Sequence, residues 1–353
     1  GKNMTSNLSK FIKFLKEEIS ENQISSANTI DVIDPRDRLE NKSEICVKPK
    51  NTQEISKILK LANKFIIPII PIGGSTGLVG GQIASRSNHV TLSLEKLDTI
   101  NFFKESNLLY VQSGAILSNI KKLAFNNGRL FPLSLASEGS CQIGGNLATN
   151  AGGLNVIKYG NVRDLCLGLE AVLPCGQIVS TMKPLKKNNM GFDLKNLLIG
   201  SEGTLGIITS TILKTFPIPK DPVSIFLSIN NLADVLFVFE KISREFSERI
   251  LAFELIKMTG IDFIEETGFT IKNPFNKKTN WKVLIEIDVN IGPINLGEII
   301  ENTFYDLLLE NKIVEVFFAT NINQRNEFCK IRELIPAANR KKGSICSNDI
   351  SVP

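Results

Sequence analysis

Pro71-Ile72-Gly73-Gly74-Ser75-Thr76-Gly77-Leu78-Val79-Gly80-Gly81 follows directly on a short β-rich run, Ile66 to Ile72. Five glycines in nine residues free the backbone for positive φ and for close approach to a ligand. Successive N–H groups in such a loop form a nest for an anion such as pyrophosphate. The spacing is neither GxxxxGK[ST] nor GxGxxG, which excludes a Walker loop and the dinucleotide fingerprint. Taken alone, the segment also reads as a tight structural turn.

Two further clusters decide between these readings. Residues Ala136 to Gly153, ASEGSCQIGGNLATNAGG, are nearly all small or polar and make a poor helix or strand by themselves. They suit backbone wrapped round an extended ligand, with Ser, Thr and Asn supplying hydrogen bonds. Gly200-Ser201-Glu202-Gly203-Thr204-Leu205-Gly206-Ile207-Ile208 joins a loop to a β-branched strand. Three such loops in one domain imply a large phosphorylated ligand.

Around them the chain divides by texture. Residues 1–40 are polar apart from an amphipathic helix at Phe11 to Ile19; 41–219 hold most of the glycine; 220–353 are glycine-poor. Phe216-Pro217-Ile218-Pro219 is a stiff connector and marks the boundary. In the middle region, helical period runs over Thr52 to Lys64 and Leu117 to Asn126, the latter stopped by Asn127-Gly128. Strands are expected at Val90 to Leu94 and Leu108 to Ser113, and a hairpin at Leu167 to Ser180 turning on Pro174-Cys175-Gly176. The last region alternates strand and helix: Ser224–Ile229, Ala233–Phe246, Ile250–Ile256, Trp281–Val289, Leu296–Leu309 and Ile313–Ala319. That rhythm predicts an antiparallel sheet covered on one face, in the ferredoxin-like manner.

Composition removes several chemistries. The 353 residues carry 41 basic and 36 acidic side chains, a net +5 with no dense basic block, so no nucleic-acid partner is expected. A histidine-built zinc site or a Ser-His-Asp triad would need the single histidine, His89, which reads as the start of a buried strand with no special role. Six cysteines form no CxxC pair and suit a reducing compartment. The apolar run Phe65 to Ile72 is too short to span a membrane. With no secretory signal, the expected compartment is the cytoplasm.

The three glycine-rich segments resemble the vanillyl-alcohol-oxidase (PCMH-type) FAD-binding family. PIGGSTGLVGG, ASEGSCQIGGNLATNAGGLNVIKYGNVRD and DLKNLLIGSEGTLGIIT are similar to its 2-hydroxyacid dehydrogenase branch. That branch comprises D-2-hydroxyglutarate dehydrogenases, D-lactate dehydrogenases and glycolate oxidase D-type subunits. The likeness runs from about Asp34 to the end. It is strong over 66–219, thinner over 220–320, and returns at Ile331-Arg332-Glu333 and at Asp349-Ile350-Ser351-Val352-Pro353.

The resemblance implies an α+β architecture. A lead-in (1–40) precedes a two-subdomain PCMH-type FAD-binding domain (41–219) and a C-terminally incomplete ferredoxin-like cap (220–353). It places Pro71, Ile72, Gly73, Gly74, Ser75, Thr76, Gly77 and Leu78 at the cofactor, with the pyrophosphate at 73–78. Ser137, Glu138, Gly139, Ser140, Gly144, Gly145, Thr149, Gly152 and Gly153 line the remainder, and Ile207 touches it through its backbone. With no histidine near these loops, the FAD is expected to be non-covalent.

The implied reaction moves a hydride from Cα of a D-2-hydroxy acid to flavin N5, giving the 2-keto acid. Arg332 matches the position that anchors the substrate carboxylate. Two positions depart from the pattern: Ser347 stands where a basic residue precedes Asp349, and Pro336 where some relatives have threonine. The family pattern continues past Pro353 with a histidine-rich metal site and the general base, so a divalent metal is expected only there. The implied partners are a small 2-hydroxy acid and an electron acceptor not readable from the sequence; a homodimer is left open. The alternative reading is an FAD-holding subunit or a catalytically silent fragment that needs a partner. A third is a family member acting on another alcohol or a sugar.

Overall fold

The computed structural model describes residues 2–26, 32–183, 185, 191–220, 222–289 and 295–343, with side chains from residue 7 onward. Contacts divide the chain into two units: 1–153 with 159–218, and 154–158 with 219–353.

The first unit holds two larger sheets. Strands β1 (Ile24–Ser26), β2 (Ile45–Val47), β3 (Ile69–Ile72) and β4 (Val90–Ser93) form one in the order β1-β2-β4-β3. β2 and β3 both run parallel to β4. Helices α1 (Lys2–Glu18) and α2 (Thr52–Phe65) bury one face of it, with Phe11, Leu15, Ile55 and Ile58 against Val90 and Leu92. The stripe Ile55, Ile58, Leu59, Ala62 has helical period, and the Asn51 side chain caps the first turn by accepting from Glu54 N. The β-rich run predicted from Ile66 starts as strand only at Ile69, because Ile66 takes φ 56° to end α2. Burial of each large aliphatic side chain here contributes about 1.5–3 kcal/mol.

Strands β5 (Ile100–Phe103), β6 (Leu108–Gln112), β7 (Arg129–Leu130), β8 (Cys166–Val172), β9 (Ile178–Ser180), β10 (Ile207–Lys214) and β11 (Phe216–Pro217) follow. The second sheet is antiparallel, in the order β5-β6-β10-β8-β9, while β7 pairs with β11. Between the strands come α3 (Leu117–Asn126), α4 (Ile143–Ala148), α5 (Val156–Tyr159), α6 (Val162–Leu165) and α7 (Leu194–Leu198). The predicted stop of α3 is present, with Gly128 at φ 70°.

In the second unit, β12 (Val223–Ile229), β13 (Ile250–Lys257), β14 (Trp281–Ile287) and β15 (Glu315–Phe318) form an antiparallel sheet ordered β13-β14-β12-β15. That is the ferredoxin-like order. It is covered on both faces rather than the one expected. Helices α8 (Leu232–Phe246) and α10 (Leu296–Leu309) pack on Ile225, Leu227 and Ile285. Helices α9 (Met258–Glu266) and α11 (Ile322–Lys342) pack on Phe226 and Leu284. Consecutive residues of a strand point to opposite faces, so the unbroken burial of Ser224 to Ile229 requires two covers.

Candidate functional site

Ligands of sheets with parallel strands collect beyond the strands' carboxyl ends. The loop after β3 begins there, and Leu94, just past β4, lines the same cleft, which is open to solvent. The cleft is walled by all three glycine-rich segments: Pro71–Gly77 from the first, Gly144–Thr149 from the second, Glu202–Ile208 from the third.

Specific contacts lock these segments together. A Cβ on Gly74 would lie 2.0 Å from the carbonyl oxygen of Ser140, so only glycine lets the first loop rest on the second. The third loop docks on α4, where Gly200 N donates to Leu147 O (3.0 Å) and Glu202 N to Ala148 O (2.8 Å). Helix α4 is held in turn by Ile143 N to Ala115 O (3.0 Å) and Gly144 N to Ser113 O (2.9 Å). Gly145 faces open space: a Cβ there would meet nothing within 4 Å.

The sequence-predicted residues divide as follows. Pro71, Ile72, Gly73, Gly74, Ser75, Thr76, Gly77, Gly144, Gly145, Thr149 and Ile207 line the cleft. Leu78, within the same loop, is exposed and is not among the cleft-lining residues. Ser137 and Glu138 start the turn whose Ser140 backs Gly74: Ser140 N donates to Ser137 O (2.9 Å), and Glu138 is ion-paired with Lys121. Gly139, between them, faces open space, and Gly153 packs against the Ser134 carbonyl. Gly152 is not among the cleft-lining residues. The reading from glycines missed Gln82, Gln142, Asn146 and Glu202, which also line it.

Two of these missed residues test whether the cleft suits a cofactor. The side-chain oxygens Gln142 Oε1 and Asn146 Oδ1 are buried without a hydrogen-bond partner. An orphaned buried acceptor costs about 1–3 kcal/mol unless something donates to it. FAD offers ribityl hydroxyls, an adenine amino group and a flavin N3–H, so the residues present fit it. Beside them, burial pushes the Cys141 thiol up, leaving it protonated and inert.

Arg332 lies in the second unit on α11, its Nε 3.5 Å from Glu254 Oε2 on β13. Burial pushes the Glu254 carboxyl up, against the pull of Arg332. Seven residues earlier on α11, Arg325 is engaged twice by Glu286, at 2.7 Å through Nε and 3.1 Å through Nη2. Pro336 stands inside α11, whereas Ser347 and Asp349 to Pro353 lie outside the described residues.

Fold and cleft define a class, the PCMH-type flavoproteins. The chain aligns at TM-score 0.71 with alkyldihydroxyacetonephosphate synthase (20% identity, 95% of this chain, 64% of that one). It aligns at 0.70 with p-cresol methylhydroxylase (14% identity, 89% and 66%). Residues 43–182 match the FAD binding domain family, and 218–353 match the C-terminal domain of FAD linked oxidases. The chain belongs to the FAD-linked oxidase family. Among its relatives, D-2-hydroxyglutarate dehydrogenase of Arabidopsis thaliana is 33% identical over 353 residues, 98% of this chain and 62% of the relative. The Rattus norvegicus enzyme of that name is 31% identical (88% and 58%). A D-2-hydroxyglutarate–pyruvate transhydrogenase of Saccharomyces cerevisiae is 35% identical (69% and 49%). The chain thus spans about six-tenths of the length of the two dehydrogenases. Both are named as mitochondrial. No helix among the described residues is long and apolar enough to cross a membrane.

Proposed function

We propose that this chain holds FAD non-covalently in the three-loop cleft and serves the oxidation of a D-2-hydroxy acid, of the 2-hydroxyglutarate or lactate kind, to its 2-keto acid. The observation that carries the reading is the convergence of three distant glycine-rich segments on one cleft with two unpartnered buried acceptors. The D-2-hydroxyglutarate dehydrogenases among the relatives support the substrate class.

The FAD, when bound, supplies the two-electron acceptor for the alcohol carbon. The chain's own residues do the rest of the work assigned here. Backbone of 73–77 and 144–145 would approach the pyrophosphate closely, with Gly145 facing open space and presenting no side chain there. Gln142 and Asn146 accept hydrogen bonds from the cofactor's polar edge. Arg332 holds the substrate carboxylate, its planar fork matching two oxygens at once. Among the described residues, none that lines the cleft is His or Cys, which supports non-covalent binding. The general base and the divalent metal of this chemistry are assigned to no residue of 1–353. The free thiols suit a reducing compartment, the expected cytoplasm among them, while the relatives' names point to the mitochondrion. The electron acceptor and a second copy of the chain stay unassigned.

Anaerobic mixing of the FAD-loaded chain with D-2-hydroxyglutarate, D-lactate and their L-enantiomers tests the reading through the visible flavin band. The proposal predicts bleaching by a D-acid only. It also predicts slow bleaching, because positioned proton abstraction, worth about 10²–10⁴-fold, has no assigned base here. No bleaching by either D-acid would leave an FAD-holding role alone.

A further inference from the structure

We propose that Glu254 is a positioning residue for Arg332, gripping its guanidinium from the Nε side so that the Nη1/Nη2 end stays presented to the substrate carboxylate. The inference rests on Arg332 being the carboxylate anchor, as proposed above.

The two arginines of α11 make the contrast. Positions 325 and 332 are two turns apart and share a helix face. Arg325 spends both Nε and Nη2 on Glu286, whose Oε1 also accepts from the Ser224 hydroxyl at 2.9 Å. The Nε/Nη2 edge of Arg325 is thereby committed to Glu286, and the pair acts as a brace between helix and sheet. Arg332 has one ion pair among the described residues, through Nε to Glu254 at 3.5 Å. Its end-on fork is uncommitted.

Glu254 is itself an expensive choice for this place. Its side chain is only 28% exposed, and burial pushes its carboxyl up. A half-buried carboxylate held by one side-on cation adds little to stability beyond what an apolar residue of similar size would give. Its use is geometric: Glu254 lies on the edge strand β13, held to β14 in unbroken register from Ala252 to Lys257, and is a fixed post from which to hold a long side chain. Charge alone argues the other way, since an anion beside Arg332 weakens attraction for a second anion. The two accounts therefore predict opposite signs.

The test measures the Kd of D-2-hydroxyglutarate for the FAD-loaded chain by calorimetry, with its dimethyl ester as the uncharged probe. Glu254→Ala is expected to weaken acid binding about tenfold, the loss of one charge-assisted contact, with FAD content and ester binding unchanged. Glu254→Gln, whose amide oxygen still accepts from Nε–H, should recover most of the loss. Tighter or unchanged acid binding in Glu254→Ala would overturn the proposal, as would equal weakening of acid and ester. Arg332→Ala separates the layers. If it weakens acid binding while Glu254→Ala does not, only the positioning role falls. If neither variant alters acid binding, or the parent chain binds no acid, the anchor reading falls and this proposal with it.

Discussion

The carbonyl oxygen of Ser140 sits where a side chain on residue 74 would have to be, 2.0 Å from a Cβ built at Gly74. Sixty-six residues apart in sequence, these two positions fix how the first glycine loop meets the second. The glycine is required by contact between backbones rather than by positive φ, which in this loop occurs at Ser75 (53°) and Gly80 (82°).

A valine at 74 must push the loops apart. Gly74→Val should therefore lose FAD and also lower the melting temperature, with overpacking of this kind costing about 1–3 kcal/mol. Gly145→Ala should separate the two effects. Its Cβ enters open space on a helix, so the cofactor-free chain gains about 0.5–1 kcal/mol while FAD affinity falls. Thermal scans with and without FAD measure both. A Gly145→Ala variant that keeps full FAD affinity would mean the cofactor does not approach α4.

Gln142→Met removes an orphaned acceptor while keeping the side chain's length. The cofactor-free variant should be as stable as the parent or more so, and the stabilisation gained on adding FAD should shrink. An unchanged shift on FAD addition would place Gln142 outside the contact.

Much of this was legible in the sequence where local signals and burial agree. Leu117–Asn126 and Leu296–Leu309 are helices with the predicted bounds, and Pro174-Cys175-Gly176 turns a hairpin. Helix α4 was invisible because IGGNLA has poor intrinsic propensity and is held by contacts to Ser113 and Ala115. Helix α11 was hidden by Pro336 and a charged composition, and with it went the second cover of the cap sheet. Gln142 and Asn146 lay within the quoted motif, where asparagine was expected to supply hydrogen bonds, but nothing in the sequence singled out position 146 or the glutamine. The pairing of Glu254 with Arg332 joins residues 78 positions apart, and only the register of β13 under α11 brings them together.

Pro336 gives a prediction of its own. Proline has no N–H to offer the carbonyl of Arg332 one turn back, and its ring crowds that carbonyl. Pro336→Ala should raise stability toward urea, by up to about 3 kcal/mol if the helix is otherwise unchanged. A loss of stability would show that the backbone geometry set by proline at 336 is needed for packing.

Lys282 is fully buried, with Nζ 2.7 Å from Thr279 Oγ1 and 4.2 Å from the Phe275 ring centroid. Burial holds its pKa below the ordinary 10.5. The folded chain then binds fewer protons here than the unfolded one, so stability should rise with pH from that lowered value up to about 10.5. Lys282→Met should be more stable at neutral pH, on the order of 1 kcal/mol, and lose that alkaline rise. Denaturant midpoints across the alkaline range decide it; a destabilised Lys282→Met would mean that the hydrogen bond and ring contact outweigh the burial.

Equilibrium titration of the cofactor-free chain with FAD asks whether the three glycine-rich segments form one FAD site. Saturation is expected at one FAD per chain with quenching of flavin fluorescence, full release of free FAD on acid denaturation, and weakened binding in both Gly74→Val and Gly145→Ala. A folded chain that takes up no FAD, or that binds it equally well with either glycine replaced, would contradict it.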